Sequence, residues 1–271
     1  MTRDVWLARH PYLQPVADLH TRVDTALAEV VIRGPAIPVW DDYLDDFYAG
    51  VPLLRSAAIA IDLNPVETAV PALLEELASK SLPGGLAEET RDLNADLHQD
   101  PDAPRRAVAW LFASDSFAPT CPGLLQYLSW TVLARYLHPI VGAFESWRDE
   151  ERWLRNYCVT CGAPPAMAQL VGSDPGRLRL LSCGRCGTNW RYRRTGCPFC
   201  KKEDDHRLPV LAVEGEGGLR IDHCEACGGY LKTYNGEGSE SVLLADWTSL
   251  HLDIVALDRG LKRLALSLYE L

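Results

Sequence analysis

The spacing of hydrophobic residues divides the chain into two halves of different character. In the first half, apolar side chains recur mostly at three- and four-residue steps, which is typical of helices that bury one face. This pattern predicts helices over residues 1–30, 65–80 and 124–147, and the start of another at Ala107. We expect Pro139 to kink or split the 124–147 helix, because proline lacks the N–H that an interior turn uses. The first half is therefore predicted to be all helical.

Two acidic stretches interrupt this helical pattern. Four aspartates lie within residues 41–46, and residues 86–102 are polar and acidic. Four carboxylates could bind a cation, but they lack the alternate spacing and the glycine turn of a calcium loop. We interpret residues 41–46 as a solvated acidic face and assign no regular element to residues 86–102. His10 and His20 are interpreted as surface or capping histidines.

The second half contains an internal repeat built on four Cys-x-x-Cys pairs. The two copies read C-x2-C-x21-C-x2-C and C-x2-C-x23-C-x2-C. Residues 176–183 align with residues 217–224, and residues 190–192 align with residues 230–232. Each copy therefore predicts the order knuckle, strand, turn, strand, knuckle, strand, where a knuckle is the turn formed by one Cys-x-x-Cys pair.

The repeat also predicts which cysteines share a site. Each knuckle presents two sulfurs to one point, so two knuckles make a tetrahedral four-sulfur site. The predicted ligand sets are Cys158, Cys161, Cys183 and Cys186 for one metal ion, and Cys197, Cys200, Cys224 and Cys227 for the other. An interleaved pairing stays open, in which the ten residues between Cys186 and Cys197 close a middle site and the outer pairs meet.

Thiolates are soft, charged ligands that suit zinc or iron. A catalytic metal needs an open coordination position, and two complete four-cysteine sets leave none. His206 and His223 could reach a site, but the cysteines already fill it. We find no nucleophile elbow, phosphate loop or dinucleotide fingerprint, so we predict structural or redox metal sites and no enzyme. Loss of any one cysteine is expected to loosen its ribbon and to spare the helical half.

Glycine follows the second cysteine in three of the four pairs, at residues 162, 187 and 228. Glycine permits the tight turn that aims backbone N–H groups at sulfur. The third pair has Lys201 at this position. We expect that knuckle to be looser, or its lysine to offset the charge of the site.

After the repeat, a final helix is predicted from Thr248 onward. Its apolar positions step by four and three residues along one seam: Leu250, Ile254, Leu257, Leu261, Leu264 and Leu268. We expect this seam to pack on the helical half, and a homodimer through the seam is the competing interpretation.

Composition bears on location and partners. Of the 271 residues, 47% are hydrophobic and 24% charged, as in ordinary soluble proteins. We find no apolar stretch of about 18 residues and no secretory signal after Met1, so we expect a cytoplasmic protein with metal-bound rather than disulfide-bonded cysteines. The net charge is −10, and residues 1–150 alone carry −11. This charge argues against a nucleic-acid partner despite the basic run at residues 191–194.

Several of these motifs occur together in one known family. They are Cys158-x-x-Cys161-Gly-x-Pro, Arg194-x-x-Cys197, Cys224-x-x-Cys227-Gly-x-Tyr230-Leu231-Lys232 and the late Leu252-Asp253. On these residues the sequence resembles the formate dehydrogenase accessory proteins of the FdhE type.

The resemblance implies an α+β protein with four parts. They are an all-helical domain over residues 1–155, rubredoxin-like metal ribbons over residues 156–194 and 195–240, and a C-terminal helix within residues 241–271 that packs on the helical domain. It also implies a factor that binds the formate dehydrogenase catalytic subunit and assists its activation or assembly. The resemblance ranks iron above zinc for the two ions on the eight cysteines. The rival hypotheses are a rubredoxin-like redox protein, by electron transfer or thiol exchange, and a nucleic-acid-binding zinc ribbon.

Overall fold

A computed structural model describes residues 2–173, 176–202, 208–216, 218–236, 241–265 and 267–269 of the chain. His206 lies outside the described residues. The α+β class is confirmed: helices fill the first half, a six-stranded sheet carries the cysteine knuckles, and a short helix follows. Among the helices described, none is both long enough and apolar enough to cross a membrane.

In the part of the chain that the structure describes, eight α-helices precede the sheet. They are α1 Arg3–Arg9, α2 Gln14–Glu29, α3 Trp40–Ala49, α4 Asn64–Ala78, α5 Gly84–Leu97, α6 Ala103–Leu111, α7 Pro122–Trp147 and α8 Glu150–Trp153. Helix α4 lies at the centre, against α2, α5, α6 and α7. It buries Val66, Val70, Leu73 and Leu77, which recur at three- and four-residue steps. The periodicity of the sequence thus places the hydrophobic core of the bundle correctly.

Helix α7 runs unbroken for 26 residues with Pro139 inside it. Of the two effects expected of Pro139, the split of the helix is therefore wrong, and the kink stays a prediction. Pro139 lies on the exposed side, whereas Leu137 and Ile140 are buried. On that side the carbonyl that loses its partner can bond to water, and the buried face continues across the proline.

Helices α3 and α5 occupy the two acidic stretches. In α3, Tyr43 and Phe47 are buried while Asp41 and Asp42 are exposed, as expected for a solvated acidic face. In α5 the exposed side is also polar, and Leu93 and Leu97 reach the core. Two inward residues per helix suffice here, because the neighbouring helices supply the rest of the core.

The sheet has six strands in the order β3-β2-β1-β6-β5-β4. They are β1 Met167–Val171, β2 Leu178–Ser182, β3 Asn189–Tyr192, β4 Val210–Ala212, β5 Leu219–His223 and β6 Tyr230–Tyr234. Each copy of the repeat forms three antiparallel strands, as its pattern predicts. A parallel pairing of β1 with β6, with Met167 opposite Lys232, joins the two ribbons into one sheet.

The predicted C-terminal seam is wrong. After the sheet come α9 Ser241–Leu244 and α10 Leu250–Asp258, and α10 ends before Gly260, whose φ is +73°. Ile254 and Leu257 are 54% and 47% exposed. The helix instead buries Leu252 and Ala256, because it lies flat against β5 and the start of the chain rather than along a single partner helix.

The buried apolar residues form two cores. The larger core joins the helical bundle to the first ribbon, and it includes all four cysteines of that ribbon. The smaller core joins α1, the second ribbon and the C-terminal region, with Trp6, Ile221, Tyr230 and Leu252 at its centre. Each ribbon therefore has its own support, one from the bundle and one from the two ends of the chain. The division of the chain into four domains stays a prediction.

Candidate metal centres

The four knuckles share one backbone pattern. In each, the N–H four residues after the first cysteine donates to the carbonyl of that cysteine, as from Gly162 to Cys158 at 2.9 Å and from Gly228 to Cys224 at 2.8 Å. The N–H of the first cysteine donates in turn to the carbonyl five residues later, as from Cys183 to Thr188 at 2.9 Å. These bonds close a loop that holds both cysteine side chains on one side.

The residue after each second cysteine adopts a left-handed conformation. The φ angles are +78° at Gly162, +72° at Gly187, +58° at Lys201 and +69° at Gly228. Glycine adopts this conformation freely, whereas a side chain makes it unfavourable. Lys201 therefore keeps the knuckle geometry in spite of its side chain.

The first cluster consists of Cys158, Cys161, Cys183 and Cys186, all four buried. The sulfur of Cys158 lies 3.5 Å from that of Cys186, and the sulfur of Cys161 lies 3.4 Å from that of Cys183. The backbone N–H of Arg185 is 3.4 Å from the sulfur of Cys183, where it can stabilise a thiolate.

The helical half holds the first cluster in place. The N–H groups of Leu53 and Leu54 donate to the carbonyls of Val159 and Thr160, each at 2.9 Å. The hydroxyl of Thr160 is 2.8 Å from that of Thr188, which also lies 3.2 Å from the sulfur of Cys186. The two knuckles of this cluster are thus tied to each other and to the bundle.

The second cluster consists of Cys197, Cys200, Cys224 and Cys227. Its sulfurs are 3.7 Å apart between Cys197 and Cys227 and 3.8 Å apart between Cys200 and Cys224. Cys200 is exposed and Cys227 is half-buried. Unlike the first cluster, this one opens to the surface of the protein.

These sulfur positions suit a tetrahedral metal ion. Metal–sulfur bonds of about 2.3 Å in a tetrahedron place neighbouring sulfurs about 3.8 Å apart, whereas a disulfide needs about 2.05 Å. All eight cysteines are free, and the sulfur separations given above fall close to the tetrahedral value. Two four-cysteine clusters are therefore compatible with two metal ions.

The environment of the sulfurs makes four neighbouring thiolates unfavourable unless a cation is bound. Burial raises the pKa of the Cys158 thiol well above its ordinary value. Burial likewise raises the pKa of Cys197 to about 12. Hydrogen bonds from the other three thiols, Cys158 first, lower the pKa of Cys186. Four crowded sulfurs cannot all be thiolates unless a metal ion replaces their protons and neutralises their charge.

The structure brings the cysteines together in the sets that the repeat predicts. Cys186 and Cys197 lie in different clusters, so the interleaved pairing does not occur. The assignment of the eight cysteines as metal ligands stays a proposal. Of the two interpretations of His10, the capping one is confirmed, since His10 caps the C-terminus of α1. The surface one is wrong, because His10 is 4% exposed and lies beside Glu216 and His251. No local signal could reveal this group, because its members come from distant parts of the sequence.

Comparison with known proteins agrees with this arrangement. A scan against protein-family models gives no match. A Pseudomonas aeruginosa protein named as an FdhE homolog is 30% identical over 234 residues, which are 83% of this chain and 64% of the relative. The chain therefore resembles the FdhE proteins.

A second relative and one solved structure extend the comparison. The FdhE homolog of Aquifex aeolicus is 31% identical over 133 residues, 47% of each chain. The chain thus spans 47% to 64% of the length of these two curated relatives. The crystal structure of the FdhE protein from Pseudomonas aeruginosa matches with a TM-score of 0.59 and 22% identity, over 95% of this chain and 88% of that one. This likeness confirms the fold.

Proposed function

We propose that this protein is a cytoplasmic accessory factor that binds the catalytic subunit of formate dehydrogenase and assists its activation or assembly, and that it catalyses no reaction itself. The observation that carries the proposal is the pair of complete four-cysteine clusters in a chain that resembles the FdhE proteins. Four thiolates occupy all four coordination positions of a tetrahedral metal ion and leave none for a substrate.

The proposed ligands are the eight clustered cysteines, one metal ion to each set of four. Iron is the first candidate and zinc the alternative, since four thiolates accept both. Metal analysis of protein purified without added metal tests the assignment. We expect at least two tightly held ions per chain, and far fewer than two would overturn the assignment.

The function is tested by deleting the gene. We expect formate dehydrogenase to be made but inactive in the deletion strain, and the wild-type protein to restore activity. Full enzyme activity in the deletion strain would contradict the proposal. Co-purification of the protein with the catalytic subunit, prepared without metal or cofactor, tests direct binding. Cys121→Ser, which changes a cysteine outside both clusters, serves as the control variant.

A redox role is the second candidate, and the exposure of the second cluster favours it. Cys200 is exposed, so an electron or a thiol could reach this cluster without any change of fold. A coloured, reversibly reducible metal or measurable thiol exchange would support this role. A colourless protein with two zinc ions and no thiol exchange would exclude it.

Nucleic acid stays the disfavoured partner. The guanidinium of Arg191 pairs with Glu151, and its backbone N–H donates to Glu150 at 3.1 Å. Part of the basic run therefore serves the contact between α8 and β3. Absence of binding to RNA or DNA at low salt would dismiss this role. Light scattering tests the homodimer, which also stays a prediction.

A further inference from the structure

Two histidines and one glutamate meet where both ends of the chain contact the second ribbon. His10 follows α1, Glu216 lies in the turn between β4 and β5, and His251 lies in the first turn of α10. One ligand atom from each residue lies within 4.8 Å of the others. His10 and Glu216 are 4% and 8% exposed, and the side chain of His251 is 13% exposed. Glu216 precedes β5, which leads to the knuckle at Cys224, whereas His10 and His251 belong to other parts of the sequence.

The hydrogen bond of His10 determines which ring nitrogen carries its proton. Its Nδ1 atom lies 3.0 Å from the carbonyl oxygen of Trp6, and a carbonyl can only accept, so Nδ1 is the donor. In the neutral ring, Nε2 then presents a lone pair to the carboxylate oxygen of Glu216, 3.3 Å away. Two lone pairs facing each other repel unless a proton or a metal ion lies between them. The indole of Trp6, stacked at 3.9 Å, fixes the ring in this orientation.

His251 completes the group from the other side. Its Nε2 atom is 2.8 Å from the second carboxylate oxygen of Glu216, but the contact lacks the alignment of a hydrogen bond. Within the described part of the chain, neither this nitrogen nor this oxygen has any other hydrogen-bond partner. A buried carboxylate oxygen without a hydrogen-bond partner is costly. A cation placed to one side of the line between Nε2 of His251 and this oxygen of Glu216 could be bound by both atoms.

We propose that His10, Glu216 and His251 bind one divalent transition-metal ion, such as zinc or iron(II), in a third site that goes beyond the proposed accessory function. Tetrahedral bonds of about 2.0 Å place neighbouring ligand atoms about 3.3 Å apart. Nε2 of His10 lies 3.3 Å from one carboxylate oxygen of Glu216, and Nε2 of His251 lies 2.8 Å from the other. The bond from His10 to the Trp6 carbonyl is the outer contact that a metal-bound histidine usually makes.

The surroundings suit a cation of this class. Imidazole nitrogens and one carboxylate select zinc, iron or cobalt rather than calcium or magnesium. Three protein ligands leave a position for water or for a group from a partner, in contrast with the closed cysteine clusters. The bound ion would also join the start of the chain, the second ribbon and α10.

Cobalt(II) titration of the full-length protein tests the site. The cysteine clusters are first loaded with no more than two equivalents of zinc, so that the third site is left open, and cobalt is then added. Cobalt bound by nitrogen and oxygen gives weak visible bands, whereas cobalt bound by cysteine adds intense thiolate charge-transfer bands. We expect one further equivalent of cobalt without charge-transfer bands. Glu216→Gln and His251→Gln should weaken its binding at least tenfold.

The control variant is His98→Gln, because His98 and Glu75 form an exposed pair 3.4 Å apart. It should bind the third equivalent as the wild type does. Circular dichroism and two retained zinc ions establish that each variant folds. The third ion should also raise the melting temperature of the wild type and not of Glu216→Gln.

Absence of a third equivalent in the wild type would overturn the proposal, and this result needs no variant. Equal cobalt affinity in the wild type and both variants would overturn it too. A melting temperature that changes with the substitutions but does not respond to added metal would mean that the three residues form only a hydrogen-bonded group.

Discussion

The Nζ atom of Lys232 lies 2.7 Å from Oδ2 of Asp253, and both side chains are almost completely buried. The pair joins the last strand of the second ribbon to α10. Tyr230 donates its hydroxyl to the other oxygen of Asp253 at 2.7 Å, and Asp246 lies 2.7 Å from the same lysine. Arg263 contacts both aspartates. Residues that the sequence places in two separate motifs thus form one buried ionic network.

Replacing Lys232 with methionine should destabilise the protein strongly. Among the described residues, Arg263 would then be the one cation left beside Asp246 and Asp253. Breaking a buried charge pair costs about 3–5 kcal/mol. Denaturant unfolding at neutral pH measures the change. The control is Lys262→Met, because Lys262 is exposed and should change stability by less than about 0.5 kcal/mol. Similar values for the two variants would show that the network contributes little.

The local parts of the fold could be predicted from the sequence because ligand spacing and turn residues act over short distances. The knuckles at Cys158 and Cys224 and the strands between them follow from the repeat. The bundle core follows from the three- and four-residue steps of α4. In each case the residues that determine the local structure lie close together in the sequence.

The remaining features depend on contacts between distant segments. Nothing in β1 indicates that it pairs with β6, since both strands read as ordinary members of their own copies. The leucines beyond residue 250 keep a helical spacing, but α10 ends before Gly260 and lies across two partners, so Ile254 remains exposed. His10 is covered by Glu216, which precedes β5, and by His251 of α10, both distant from it in sequence. Periodicity reports a tendency toward a helix, whereas these contacts decide where it ends and which side it buries.

Lys201→Gly should stabilise the second ribbon. Lys201 has a φ of +58°, in the position that glycine occupies in the other three knuckles. Relief of this conformation is expected to contribute about 1 kcal/mol. Denaturant unfolding of the metal-loaded protein measures it. The reciprocal change, Gly187→Ala at φ +72°, should destabilise by a similar amount, since an added Cβ there meets no atom within 4 Å. Lower stability of Lys201→Gly would instead favour a role of the lysine charge at the site.

The two clusters should respond differently to loss of a ligand. The expectation that every cysteine change spares the helical half is revised for the first cluster, since Cys158 belongs to the core of the bundle. Cys158→Ser should strongly increase hydrogen exchange in the segment around Leu53 and in α7. It should increase hydrogen exchange in the second ribbon only slightly. Cys200→Ser should affect only the second ribbon, because Cys200 is exposed.

Cys121→Ser is the matched control for this experiment. Cys121 is a half-buried thiol outside both clusters. Its variant should exchange hydrogen as the wild type does. Unchanged protection around Leu53 in Cys158→Ser would contradict the structural link between the first cluster and the bundle.

His20 should make the protein sensitive to mild acid. Burial, and then the charge of Arg3, lower the pKa of His20 from 6.5 to about 4. Because the lowered pKa favours the neutral form, the folded state is fully stabilised above about pH 6.5, where the unfolded histidine is also neutral. Between pH 6.5 and 4 the unfolded chain binds a proton that the folded chain does not, so stability falls, by up to about 3 kcal/mol. His20→Gln should reduce this fall.

Glutamine can still bond to the hydroxyls of Tyr269 and Tyr127, which lie 2.6 and 3.2 Å from the His20 ring nitrogens. The free energy of unfolding is therefore compared between wild type and variant from pH 7 to 5, with His138→Gln as an exposed control. Acid also weakens the cysteine sites, but it does so equally in all three proteins, so the difference between them reports on His20. Parallel pH profiles for wild type and His20→Gln would mean that His20 accepts a proton in the fold as readily as in the unfolded chain.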